Sequence, residues 1–291
     1  MRLIGLCLAL SMAVACSGTS GERGTSGPAG RAAAPAEIGP APDQPVNKLE
    51  KATKPFKDDL DAVIARGYVR ILVAPSRTYF QTVDGVHRGL AVNAGVALAQ
   101  KLSEDAKKDI AAVFIETPED QLVPALLAGK GDVAANVLLN ITRDEQVAFA
   151  PPIKTDIREL IVTEGGKDLV SLEDVGGRTI HVRKNTDHHA SLIRLNEQLK
   201  KNNRREAFIF FDEKAKNDED MLDSVNAGRI KATIVDDYIF DRWQGDMLKI
   251  AKTNRDIAVS QDGSLSWVSR KDAPNLTAAL KDFFSTRKLT F

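Results

Sequence analysis

Few side chains in this 291-residue sequence have types and spacings suited to chemistry. Its four histidines are His87, His181, His188 and His189. Neighbouring residues of a helix point to different sides, so His188 and His189 cannot readily ligate one metal ion. All four read as ordinary surface or edge histidines, and no metal site is expected. No acid and base stand at a persuasive catalytic spacing. A Gly-rich phosphate loop, a nucleophile elbow and a zinc-type histidine motif are likewise missing from the sequence. The chain therefore reads as a non-enzyme without a cofactor, and what remains is the chemistry of charge. The turn Lys184-Asn185-Thr186 opens a helix whose free N–H groups can bind an anion. Thr186 either lends its hydroxyl to a ligand or uses it as the helix N-cap. Arg183, just before that turn, either reaches an anionic ligand or pairs with Asp187.

The elements that must position these residues alternate between strand and helix. Residues 69–74 form a compact β-branched strand, and 90–102 carry Leu90, Ala94, Ala97, Leu98 and Leu102 on one helical side. A strand at 111–115 leads to Thr117-Pro118-Glu119, with Thr as N-cap and Pro at the first helical position. That helix runs to Leu127 and stops at Gly129, and a third strand covers 132–137. After Pro151-Pro152 the pattern restarts, with an extended run at 158–163, a strand at 179–183 and a helix at 186–199. Then come a strand at 207–211, a helix at 219–227 and a strand at 232–235 leading into 236–243. Extended runs near 248–251 and 265–269 precede a last helix from Pro274 to Phe284. Strand–helix–strand order implies parallel strands with helical crossovers. Two such α/β units suggest two lobes, each with its own sheet, and a ligand cleft between them.

The N-terminus reads as an export signal. Arg2 is a short positive region, and residues 3–14 are an apolar stretch too short to span a bilayer. It ends in Ala13-Val14-Ala15-Cys16, which resembles the lipobox of bacterial lipoproteins, although Ala13 stands where Leu is usual. Only Cys7 and Cys16 occur in the chain, so removal of residues 1–15 leaves Cys16 alone, better explained by lipidation than by pairing. Residues 17–46 are rich in Gly, Ser, Thr, Pro and Ala and are expected to be a disordered tether. With 40 basic and 40 acidic residues, no overall field favours nucleic acid. Lys200, Lys201, Arg204 and Arg205 suit a solvated helix end. The expected product is a monomer in the periplasm or cell envelope, lipid-anchored through Cys16, with the outer membrane favoured over the inner in a Gram-negative cell.

Five segments, in this order, carry a family likeness: DDLDAVIARGYVRILVAPSRTYF (58–80), RGLAVNAGVALAQKL (88–102), EDQLVPALLAGKGDVAANVLLNITRDEQVAFAPP (119–152), SLEDVGGRTIHVRKNT (171–186) and MLDSVNAGRIKATIVDDY (221–238). Residues 58–285 resemble the type II periplasmic solute-binding proteins, family 3, of the amino-acid-binding class. They are especially similar to the binding domain that precedes the catalytic domain in lytic transglycosylases of the F type. The resemblance implies an α/β, two-lobed fold with a cleft between lobes. Lobe 1 would comprise 47–160 plus 262–291 and lobe 2 residues 161–261, hinged on two extended strands. The transglycosylase domain itself is not expected, since the sequence closes at Phe291 after the last helix of the binding domain.

The resemblance also implies site residues. Asp236 matches the acidic residue that holds a ligand's amino group, with an N-cap role as its alternative. Ser76, Arg77 and Tyr79 follow the first strand where the family places cleft residues, and Asn140 follows the third. The family's carboxylate-binding Arg is replaced by Glu145, leaving Arg143, two positions earlier, either as carboxylate ligand or as a solvated helix-start residue. The expected partner is a small polar ligand, with an ABC transporter permease behind it or, alternatively, a cell-wall enzyme or muropeptide.

Overall fold

In the computed structural model, residues 36–39, 44–45, 52, 54–139, 145–166, 169–245 and 248–289 are described. Residues 1–15, expected to be an export signal, and Cys16, Asn140 and Arg143 lie outside them. Among the described residues the strands are β1 (Ala36–Ile38), β2 (Gln44–Pro45), β3 (Tyr68–Val73), β4 (Gln81–Val83), β5 (Val86–Arg88), β6 (Ala111–Glu116), β7 (Val133–Leu138), β8 (Val147–Phe149), β9 (Lys154–Glu164), β10 (Thr179–Val182), β11 (Phe208–Phe211), β12 (Ala232–Asp236), β13 (Ala251–Arg270) and β14 (Arg287–Leu289). The helices are α1 (Leu60–Arg66), α2 (Leu90–Ala106), α3 (Leu122–Leu127), α4 (Asp187–Lys201), α5 (Asp218–Asn226), α6 (Asp237–Trp243) and α7 (Pro274–Thr286).

Two parallel triplets form the halves of the fold, ordered β6-β3-β7 and β11-β10-β12, each with its first strand in the middle. The expectation of a separate sheet in each lobe is corrected. Antiparallel β9 and β13 join the triplets into one nine-stranded sheet, running β12-β9-β13-β7 through its middle. The 20-residue β13 is long enough to pair with both β9 and β7, and its register against β9 shifts repeatedly between Thr253 and Leu265. Where the sequence suggests two short extended runs, this one strand absorbs the connection.

Local chemistry explains the other elements. Asp59 caps α1 by accepting from the Leu60 N–H at 2.8 Å, and the same carboxylate accepts from the N–H groups of Asn275 and Leu276 at the start of α7. The start of α3 differs from the expected one. Thr117 turns its hydroxyl back to the Ile115 carbonyl, a 3₁₀ turn covers Glu119–Gln121, and the α-helix begins only at Leu122. The expected disordered tether is also corrected in part. Ile38 is buried and β1 pairs with β14, while β2 adds to the β4–β5 hairpin. Ile38 gives that otherwise small-residue stretch an apolar side chain to bury against the main core.

The main core packs α1, α2 and α7 against β3, β7 and β13, and a second core forms between α4 and the β10–β12 strands. Gly95 on α2 allows the close approach to the sheet, because a Cβ there would lie 2.6 Å from Phe114 and 2.7 Å from Ile71. Beneath lies a buried charge network. Arg70 and Asp132 are both fully buried and paired at 2.8 Å. Arg70 also donates to the carbonyls of Lys54, Phe56 and Gly129 and stacks over the Phe56 ring at 3.5 Å.

Candidate functional site

The C-terminal ends of β3, β7, β10 and β12 open on one cleft of about 610 Å³. Ligands of open α/β sheets bind beyond such strand ends. Seven carboxylates line it, those of Glu119, Asp120, Glu159, Asp187, Asp218, Glu219 and Asp236, against the cations Arg183, Arg194 and His188. This is an acidic cleft in a chain of no net charge.

Its floor is a chain of ion pairs. Arg183, at the end of β10, donates to Glu119 Oε2 at 2.6 Å and to Asp218 Oδ1 at 2.5 Å. The expected alternative, a pair with Asp187, is not the one formed, because the Arg183 side chain turns to the start of α5 instead. Asp218 Oδ1 lies 3.5 Å from His188 Nδ1, and His188 Nε2 lies 3.1 Å from Asp236 Oδ1. Burial alone would lower the His188 pKa, but Asp218 and Asp236 outweigh it and hold the imidazole well above its ordinary range. Burial would raise Asp218, yet His188 and Arg183 hold it below the usual carboxylate value. For Asp236 burial prevails over the pull of His188, and the carboxyl is pushed up to about 6. Glu159 sits directly across from Asp236 in the β9–β12 register, and its buried Oε2 accepts no hydrogen bond.

A second set of contacts ties the β3 end to α5. Ser76 Oγ donates to Glu219 Oε1 at 2.8 Å, and the Thr78 N–H donates to the same oxygen at 2.9 Å. Arg77 donates to the Glu219 carbonyl, pairs with Asp223 at 3.1 Å and lies over the Trp243 ring. Tyr79 lines the cleft, its ring edge-on to Tyr238 at 6.2 Å.

Residues 69–289 match the bacterial extracellular solute-binding proteins, family 3. The chain belongs to this family. A curated relative, the membrane-bound lytic murein transglycosylase F of Maricaulis maris, is 29% identical over 137 residues, which are 46% of this chain and 29% of that protein. The match thus spans less than a third of that relative's length. Among solved structures, the ancestral amino acid-binding protein AncCDT-1, a precursor of cyclohexadienyl dehydratase, superposes with a TM-score of 0.63 at 20% identity, covering 78% of this chain and 91% of that one. An amino acid ABC transporter substrate-binding protein from Streptococcus pneumoniae, bound to L-arginine, gives 0.62 at 16% identity, covering 79% and 91%. An ancestral arginine-binding protein bound to arginine gives 0.60 at 17%, covering 76% and 92%. The fold is the two-lobed α/β architecture of these amino-acid-binding proteins.

Against this family frame, the structure brings Ser76, Tyr79, Arg183 and Asp236 to the cleft. Asp236 precedes α6 but makes no side-chain cap hydrogen bond, so its carboxylate is left to the cleft. Thr186 uses its hydroxyl locally, accepting from the His189 N–H and donating to the Arg183 carbonyl. Arg77 is tied to α5 and Trp243 rather than lining the cleft. Glu145 is exposed. The reading of all four histidines as surface or edge residues is corrected, since His188 and His87 are buried. Sequence reasoning set His188 aside as an ordinary histidine and assigned no site role to Glu159, Asp218 or Glu219. One signal for the last two was available: Asn217-Asp218-Glu219-Asp220 heads a helix, a place where acidic residues are common and so drew no notice.

Proposed function

We propose that this protein is an extracytoplasmic solute-binding protein that captures a small cationic or zwitterionic polar solute, an amino acid or similar, by closure of its lobes. The observation that carries this reading is the acidic floor. Asp236 is 5% exposed and meets the cleft beside Glu159 and Asp218, and seven carboxylates face the three cations Arg183, Arg194 and His188 among the described lining residues. An ammonium group entering there relieves repulsion between buried carboxylates. A solute that touches both lobes favours the closed state in proportion to its differential affinity for it. Bound arginine in two proteins of the same fold is consistent with a cationic solute. Delivery to an ABC-type transporter completes the proposal, with residues 1–15 as signal, Cys16 as lipid anchor and residues 161–261 as the second lobe. A Cys16→Ala chain recovered still in the membrane fraction would rule out the anchor.

The test is a thermal-shift screen against amino acids, polyamines, organic acids, short peptides and muropeptides. A ligand at about 100 times its Kd adds about 2.7 kcal/mol, or roughly 5 to 10 °C for a body of this size. Cationic and zwitterionic compounds should raise the melting temperature, and Asp236→Ala should abolish the effect. Equal response in Asp236→Ala would refute the assignment. The likeness to a murein transglycosylase favours a second reading, a wall-associated binding module that does not serve transport. A shift with muropeptides alone would select it.

A further inference from the structure

Glu159 and Asp236 stand directly opposite each other on β9 and β12. They are 6% and 5% exposed, and like charges so placed destabilise a sheet. His188, itself 6% exposed, approaches from the first turn of α4. One ligand atom from each of the three lies within 4.8 Å of the other two. An ion with bonds of about 2.1 Å in tetrahedral geometry needs its ligand atoms about 3.4 Å apart, so closing inward by about an ångström completes the site. His188 carries the outer partner typical of a metal-bound imidazole. Its Nδ1 faces Asp218, which Arg183 holds in turn, so the Nε2 lone pair can be offered inward once its proton leaves. The buried Glu159 Oε2, with no hydrogen-bond donor, is the group still lacking a partner in this arrangement.

We infer that Glu159, His188 and Asp236 form a binding site for a divalent transition-metal ion at the floor of the cleft. Imidazole with two carboxylates suits zinc or manganese, and three protein ligands leave a position open to the cleft. Charge supports a cation. Glu119, Glu159, Asp218 and Asp236 outnumber Arg183 and His188 among the described residues of this floor. The site rests on the reading of the cleft as a solute pocket but not on the ammonium assignment, since ion and ammonium would compete for Asp236.

The experiment is calorimetric titration of the metal-free full chain with Zn2+ alone at pH 7. One ion should bind per chain. Glu159→Gln and His188→Gln should each weaken binding at least tenfold. Asp218→Asn, acting through the imidazole, should weaken it 10- to 100-fold. His189→Gln, at the adjacent ring, should leave it unchanged. Proton NMR of the wild-type histidine rings needs no variant to fold, and one ring of the four should respond to a single equivalent of Zn2+. Absence of zinc binding, an unmoved spectrum, or affinity indifferent to Glu159→Gln would overturn the site. If zinc fails while arginine still raises the melting temperature, solute capture stands and the metal site falls. If zinc binds and no organic solute does, the ammonium assignment falls instead.

Discussion

Replacing Asp236 by Asn removes one buried charge while keeping the side chain's shape, and the consequence depends on pH in a defined sense. The folded carboxyl titrates near 6 against an ordinary value of 3.8, so the folded state holds that proton more tightly than the unfolded chain does. A group raised in this way contributes stability that is fully present below about 3.8 and lost as pH climbs through about 6. The amount is roughly 3 kcal/mol over the window, at about 1.4 kcal/mol for each tenfold difference in proton affinity. Asp236→Asn lacks that titration. Urea unfolding of both proteins from pH 3.5 to 6.5 should therefore show the stability of wild type relative to the variant falling by roughly 3 kcal/mol, equivalent to roughly 6 to 12 °C in Tm. Asp218, the strongest influence holding the His188 pKa up against its burial, is present in both proteins, so the imidazole stays charged in each and does not mask the trend. Carboxylates distant from the site contribute equally to both proteins and cancel in the difference. A difference that stayed flat, or grew with pH, would refute the account of Asp236 as a desolvated carboxylate crowded by Asp218 and Glu159.

Three further outcomes follow from the same structure. Asp132→Ala leaves Arg70 charged and buried without its carboxylate, and should cost about 3–5 kcal/mol in chemical denaturation. Gly95→Ala drives a methyl group into Phe114 and Ile71 and should cost about 1–3 kcal/mol, with cleft affinity retained once the chain is folded. Glu219→Gln weakens the bonds from Ser76 Oγ and the Thr78 N–H that tie the β3 end to α5, so small-angle scattering of the ligand-free chain should report a larger radius of gyration. An unchanged scattering curve would count against that contact as a latch.

The alternation of strand and helix was legible because it is written locally. Residues 69–73 are apolar and mostly β-branched apart from Arg70, α2 repeats its apolar residues at helical spacing, and α5 ends beside Gly228 in the left-handed region. Half of the cleft was legible by two routes: Arg183 from its place before a helix-opening turn, and Ser76, Tyr79 and Asp236 through the family resemblance, which puts ligand residues at or just beyond strand ends.

What the sequence could not yield was the pairing of residues far apart in the chain. His188 meets Asp236 across 48 positions, Arg183 meets Glu119 across 64, and Ser76 meets Glu219 across 143. Each member, alone, is a common polar residue at a strand end or helix start, and nothing in its neighbours says which partner it will find. Glu159 is the sharpest case, a charged residue within a strand, read from sequence only as part of an extended run. Its burial opposite Asp236 follows from the antiparallel register of β9 and β12. The same holds for β13, whose two short apolar runs became one 20-residue strand only because β9 and β7 both offered it an edge. Sequence thus determined the elements and the ends at which a ligand would sit, since propensity and periodicity act within a dozen residues. Tertiary structure decided the charge of the site, because the proton affinity of a carboxylate or imidazole depends on which opposite charges fold against it and how much water they exclude.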